Sequence, residues 1–209
     1  MSRWAERLYL FVKPARIGRA KTRLAKEIGA GAAATFYRNS VEGLFARLGD
    51  DPRWETLAAV DGPADVPLHG VRGAEQVTQG GGDLGDRLRR IAKTAPPGPI
   101  VVLGSDAPQI ASGHIVQAFH ALKSADLVLG PSGDGGYWLV GLKRVRGMGA
   151  LFRYVRWSTE HALADTRASA PNYFRTAYLE RLDDVDDAAS LRAVRPLRSR
   201  PAPARMIAL

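Results

Sequence analysis

Apolar and polar positions fall in short blocks along the chain. Tyr9-Leu10-Phe11-Val12 is a compact apolar run that predicts a buried strand, and Lys13-Pro14 ends it. A polar loop over 13–20 follows, with a helix from about Lys21. Between residues 31 and 48, Ala34, Tyr37, Val41, Leu44, Phe45 and Leu48 recur at helical spacing. Thr56 to Val60 predicts a second strand, stopped by Asp61-Gly62-Pro63. Residues 73–82 read as a polar, glycine-rich stretch leading into a helix that carries Leu84, Leu88 and Ile91. Ile100-Val101-Val102-Leu103 is the clearest buried strand. Ser112 is placed to cap a helix reaching about Leu122. A short strand over Asp126 to Leu129, a loop over 130–136 and a strand over Tyr137 to Leu142 complete the central part. Ser158 is placed to cap a further helix, and Asp183 to Asp187 form an acidic turn before a short last helix.

Strands and helices alternate, which predicts an α/β fold: a three-layer α/β/α sandwich around a mostly parallel sheet. With no internal repeat and no linker, residues 1–191 form one domain, followed by a basic Pro/Arg-rich tail at 192–209. Sheets of this kind bind ligands beyond the carboxyl ends of their strands. That rule selects the loops after Val12, Leu103 and Leu129.

Composition narrows the chemistry. The 209 residues include no cysteine, which excludes disulfides, thiolate metal sites and a cysteine nucleophile. No segment approaches the roughly 20 apolar residues of a membrane span, and the N-terminus does not read as a signal peptide, so the expected location is the cytoplasm. The net charge of +9 is local. Lys13, Arg16, Arg19, Lys21, Arg23 and Lys26 crowd the first loop, and Arg192, Arg195, Arg198, Arg200 and Arg205 crowd the tail. Without those two segments, 19 basic residues face 21 acids. A small polyphosphate suits the first patch better than a nucleic acid does, and no nucleic-acid or membrane partner is expected.

Five constellations carry candidate chemistry. Lys13…Gly18…Lys21-Thr22-Arg23 follows the first strand and opens a helix, where clustered cations and helix amides make an anion site; a solvated basic helix start is the plainer account. Gly104-Ser105-Asp106-Ala107-Pro108 puts a carboxylate at the sheet's edge, suited to Mg²⁺ or Mn²⁺, or else a turn bonding its own amides. Gly130 to Gly136 surrounds Asp134 with glycines before Tyr137-Trp138, either as a ligand loop with an acceptor wall or as a wide hairpin with core aromatics. Gln79 to Leu88 includes Asp83, a helix cap or part of a loop over a base or acceptor. The acidic turn offers Asp186 as a further metal ligand, or is only solvated. The four histidines show no metal-ligand spacing and are expected to be structural or exposed.

Together these segments resemble the bacterial selenodomain-associated transferase family, within the GT-A (glycosyltransferase A type) superfamily. That family is similar to the guanylyltransferases acting on 2-phospholactate and on the molybdenum cofactor. The resemblance runs from about Leu8 to Leu191, through the segments above and Trp157-Ser158-Thr159; Ala15 and Ile17 stand where the family usually has prolines. It implies a GT-A sandwich, a nucleotide near the first loop and a metal on Asp106.

The resulting expectation is a metal-dependent transferase with a nucleotide-phosphate donor, foremost a nucleotide-sugar glycosyltransferase. The alternatives are a nucleotidyltransferase moving NMP from an NTP to a small phosphorylated acceptor, and a non-catalytic nucleotide-binding protein. Lys21, Asp106 and Asp134 are the expected catalytic residues. Lys13, Gly18, Lys21, Thr22, Arg23, Gln79, Asp83 and Ser105 are expected on the nucleotide, and Asp106, Asp134 and Asp186 on Mg²⁺ or Mn²⁺.

Overall fold

The first apolar run is strand β1 (Arg7–Val12), the centre from which the sheet is built. The computed structural model describes residues 5–14, 22–68, 71, 73–144 and 148–183; of Thr22 and Arg23 it describes the backbone alone. The remaining elements are α1 (Thr22–Ile28), α2 (Ala30–Leu48), β2 (Glu55–Val60), β3 (Glu75–Thr78), α3 (Leu84–Thr94), β4 (Ile100–Gly104), α4 (Ser112–Ala121), β5 (Leu127–Pro131), β6 (Tyr137–Leu142), α5 (Ala162–Ser169) and β7 (Thr176–Tyr178). Among the described residues they form a seven-stranded sheet in the order β3-β2-β1-β4-β6-β5-β7. Only β6 runs antiparallel to its neighbours, so the sheet is mostly parallel, as the alternation predicts.

Central parallel strands are buried on both faces and so read as continuous apolar runs. Leu8, Leu10 and Val12 face α2 and α4, packing with Tyr37, Val41, Leu44, Phe45, Ile115 and Phe119. Tyr9, Leu57 and Val102 face the opposite layer, with Leu88 and Ile91 of α3 and with Leu151, Phe152 and Phe174. All six periodic positions of the second helix, from Ala34 to Leu48, are buried.

Four details differ from the pattern-based expectation. The glycine-rich stretch over 73–82 contains β3, and β7 lies within 170–183. Both are edge strands with a single neighbour, so neither carries the two-faced burial that marks β1 or β4. Ser112 is the first residue of α4 rather than its cap: the cap position is Ala111, whose N–H is received by His114 Nδ1 at 2.9 Å. Ser158 adopts left-handed backbone (φ 60°) and caps nothing; α5 begins after His161, well beyond where a Ser158 cap would start it. Leu84 opens α3 at 40% exposure instead of joining the core. The acidic turn beyond Asp183, the helix expected after it and the tail at 192–209 lie outside the described residues.

Candidate active site

The carboxyl ends of β1, β3, β4 and β5 open into one cleft of about 970 Å³. Lys13, Gln79, Asp83, Ser105, Asp106 and Asp134 all line it. Six candidates chosen from separate parts of the sequence therefore meet in one place. Gly18, Lys21 and Asp186 lie outside the described residues, and Thr22 and Arg23 contribute a described helix start without described side chains.

Helix α2 fixes the two loops that flank the cleft's centre. Lys13 N–H donates to the Tyr37 hydroxyl at 2.7 Å, and Ser105 Oγ donates to the same oxygen at 3.1 Å. From near the far end of the same helix, Arg47 donates to the carbonyls of Pro108 (2.7 Å) and Ile110 (3.2 Å). The loop carrying Asp106 is thus held from beneath at both ends. Replacing Tyr37 by Phe removes a buried acceptor for two donors, at a cost of about 1–2 kcal/mol. The expected result is a melting temperature lower by roughly 3–6 °C, measured by thermal unfolding; an unchanged value would show that these bonds do not secure the loops.

On the β1–β3 side, Gln79 is buried and donates to the carbonyls of Ala59 (2.7 Å) and Val12 (3.3 Å), tying together the ends of β1 and β2. Its Oε1 receives Arg87 Nη1 at 3.2 Å, and Arg87 also meets Asp61 at 3.0 Å and the Gly82 carbonyl at 3.2 Å. Gln79 thereby holds an arginine in the cleft wall. Asp83 caps α3: its Oδ1 receives Asp86 N–H at 2.8 Å, and Asp86 Oδ2 receives Asp83 N–H at 3.2 Å. The capping account of Asp83 holds, and the residue lines the cleft as well.

On the β5–β6 side, the loop around Asp134 is both a hairpin turn and a cleft wall. Asp134 Oδ1 receives Ser132 Oγ (2.6 Å) and Gly136 N–H (2.9 Å). Tyr137 and Trp138 both line the cleft while packing with the two core clusters, and the Tyr137 hydroxyl receives Thr166 Oγ1 at 3.3 Å. Burial pushes the Tyr137 phenol well above its ordinary pKa, so it stays protonated at neutral pH. Trp157, Ser158, Thr159 and Glu160 close this side. Sequence reading missed Tyr37, Arg87 and Glu160 as site residues. Arg87 and Trp157-Ser158-Thr159 stand in quoted motifs, whereas Glu160 carries no local signal.

Carboxylate oxygens suit a hard divalent cation, and Mg²⁺ is commonly held by one or two carboxylates with waters and phosphate completing the shell. Asp106 and Asp134 on one cleft fit that pattern. Among the described residues no group of three or more His or acidic side chains forms a closed metal cage. The chain leading to the acidic turn passes close by: Gln109 Nε2 donates to the Asp183 carbonyl at 2.6 Å, and Leu182 N–H donates to the Pro131 carbonyl at 3.1 Å. That approach runs between the loops of Asp106 and Asp134. His114, the buried histidine, commits its ring to Ala111 and to Glu180 Oε1 at 3.0 Å, a structural role. Among the described residues no helix is long and apolar enough to cross a membrane.

The fold is similar to that of a protein from Desulfovibrio desulfuricans G20 described as a candidate nucleotide-diphospho-sugar transferase. The TM-score is 0.77 at 26% identity, over 87% of this chain and 82% of that one. It is also similar to CMP:2-keto-3-deoxy-manno-octonic acid synthetase, solved with CTP (TM-score 0.56, 12% identity, 91% and 97% coverage). A third likeness is to Rv0371c of Mycobacterium tuberculosis H37Rv, solved with manganese (TM-score 0.50, 16% identity, 91% and 98% coverage). The last two show the fold alone. No curated protein matches the sequence. The nucleotide-diphospho-sugar transferase type of sandwich expected from the sequence is the one observed. The family described as "Uncharacterized protein conserved in bacteria (DUF2064)" matches residues 44–159, more than half of the chain, and the protein belongs to that family.

Proposed function

We propose that the chain is a divalent-metal-dependent transferase that takes a nucleotide sugar as donor. One observation carries the reading: at the carboxyl edge of a GT-A type sheet, a single cleft sets Lys13 and Arg87 on the β1–β3 side and Asp106 and Asp134 beyond them. The likeness to a candidate nucleotide-diphospho-sugar transferase supports it. A manganese-bound fold relative and a CTP-bound one are consistent with it.

In this reading the nucleotide lies on the β1–β3 side, with its phosphates toward Lys13 and the basic loop that carries Lys21. Arg87, already oriented by Gln79 and Asp61, presents its guanidinium to the same side. Asp106 and Asp134, with Asp186 from the acidic turn, would hold a Mg²⁺ or Mn²⁺ ion, which when bound would neutralise charge on the departing diphosphate. The reaction moves the sugar from a diphosphate oxygen to an acceptor oxygen or nitrogen and releases a nucleoside diphosphate and one proton. Fixed charges aimed at the departing phosphates lower the barrier without reorganising during the reaction.

The test is thermal unfolding with nucleoside triphosphates and nucleotide sugars in Mn²⁺ or Mg²⁺, with and without EDTA. A ligand at 100 times its dissociation constant stabilises by about 2.7 kcal/mol, a rise of roughly 5–10 °C, and EDTA should abolish most of it. No rise with any nucleotide defeats the proposal, and a rise indifferent to EDTA defeats its metal requirement. Turnover separates an enzyme from a nucleotide-binding protein. Release of pyrophosphate, rather than nucleoside diphosphate, would identify nucleotidyl transfer.

A further inference from the structure

We propose that His114 and Glu180 are positioning residues: their hydrogen bond sets the loop of Asp106 against the loop of Asp134, and so governs how tightly the cleft takes a divalent cation. The inference rests on the metal reading above and concerns two residues outside the cleft lining.

His114 is buried, at 4% exposure, and both of its ring nitrogens are committed. Nδ1 receives Ala111 N–H at 2.9 Å, so it carries no proton. The ring proton therefore sits on Nε2, which donates to Glu180 Oε1 at 3.0 Å. An imidazole that accepts on one side and donates on the other is fixed in both tautomer and orientation. Its partners stand on different segments. Ala111 ends the Asp106 loop, five residues past the aspartate, and Glu180 follows β7.

Residues 179–183 form a strap that touches both loops. Leu179 N–H donates to the Leu129 carbonyl at 2.9 Å and Leu182 N–H to the Pro131 carbonyl at 3.1 Å, which holds the strap along β5 as far as the Asp134 loop. The Glu180 carbonyl receives the indole N–H of Trp138, four residues past Asp134, at 3.2 Å. Arg181 and Asp183, paired at 3.1 Å, lie over Gly133, where a side chain would run into both. The Asp183 carbonyl receives Nε2 of Gln109, three residues past Asp106, at 2.6 Å. His114 and Trp138 meet edge to face, with centroids 5.6 Å apart and 69° between planes. The start of α4, the start of β6 and the strap are thereby joined in one triangle.

Sheet pairing does not supply this link. β6 lies between β4 and β5, and the Asp106 loop leaves the sheet to enter α4. Arg47 ties that loop to α2, and the strap ties it to the Asp134 side. Of the strap's two bonds to the Asp106 side, the one from Gln109 is exposed and the one from His114 is partly shielded, which strengthens it. A cation held by carboxylates from separate loops is sensitive to their spacing, and supporting bonds behind metal ligands are typically worth about 10–100-fold in affinity.

Mn²⁺ alone, titrated into the full chain and followed by the electron paramagnetic resonance of the free ion, tests the inference. Glu180→Ala should weaken Mn²⁺ binding at least about tenfold. Glu180→Gln, whose amide oxygen can still receive His114 Nε2–H, should restore most of it. His114→Asn can keep the bond to Ala111 but is too short for Glu180, so it should lose as much as Glu180→Ala; it carries the test if Glu180→Ala does not fold. Ile91→Val, a contraction of the core on the other face of the sheet, controls for lost stability and should bind Mn²⁺ like wild type. Wild-type affinity in Glu180→Ala or His114→Asn overturns the inference, as does an equal loss in Ile91→Val. A loss in Glu180→Gln as large as in Glu180→Ala also overturns it, because the charge of Glu180 rather than its bond would then hold the ion. The metal reading fails separately, through the absence of Mn²⁺ binding by wild type, and takes this inference with it.

Discussion

Asp106→Asn should lower turnover by about two to three orders of magnitude while leaving the melting temperature of the unliganded protein within a few degrees of wild type. The side chain sits on a half-buried bend just past β4, whose apolar residues Ile100 to Leu103 hold the strand whichever residue occupies position 106. The loop is secured by Ser105, Pro108 and Ile110 through Tyr37 and Arg47, so the substitution removes a charge without releasing the backbone. Asn keeps the shape and one acceptor oxygen but lacks the negative charge that a hard divalent cation requires. The measurement is turnover against Mn²⁺ concentration, together with calorimetric binding of the nucleotide. Wild-type metal dependence and affinity in the Asn variant would exclude Asp106 as a ligand.

Gly135→Ala should destabilise the fold by about 3 kcal/mol and distort the β5–β6 side of the cleft. Gly135 has φ 81°, where a side chain is strained, and a Cβ there would lie on the backbone of Glu160. Its carbonyl also receives Leu163 N–H at 2.9 Å, so the turn and the start of α5 are docked backbone to backbone. Neither side can yield as a flexible side chain would. Thermal unfolding should show a drop of roughly 6–12 °C. A melting temperature within a degree or two of wild type would mean that the turn repacks freely.

Part of this arrangement was legible before any coordinates. Tyr9 to Val12 and Ile100 to Leu103 announce themselves because a central parallel strand is buried on both faces and can afford no polar residue. The spacing from Ala34 to Leu48 announces α2 because one helical face must meet the sheet. Edge strands β3 and β7 give no such signal, since each has one neighbour and partial exposure. Asp106 and Asp134 stand out because ligands gather at the carboxyl ends of strands, a topological rule that needs no side-chain contact. Gln79 shows the limit of that approach. Its motif marks it as a nucleotide contact and it lines the cleft, but no local pattern shows that its amide spans Ala59 and Val12 or that its oxygen steadies Arg87.

The sequence by itself determined the class of fold, the loops that carry chemistry and the confinement of excess charge to two segments, because periodicity and composition report burial and charge residue by residue. The tertiary structure alone decided which groups meet. Tyr37 reads as one more buried position of a helix, but its hydroxyl joins Lys13, 24 residues before it, to Ser105, 68 residues after it. Glu160 carries no local signal and reaches the cleft only because the segment before α5 docks on Gly135. Such meetings are fixed by how helices and turns pack against the sheet. That packing is a property of the whole collapsed chain, to which each local pattern contributes only its share of buried surface.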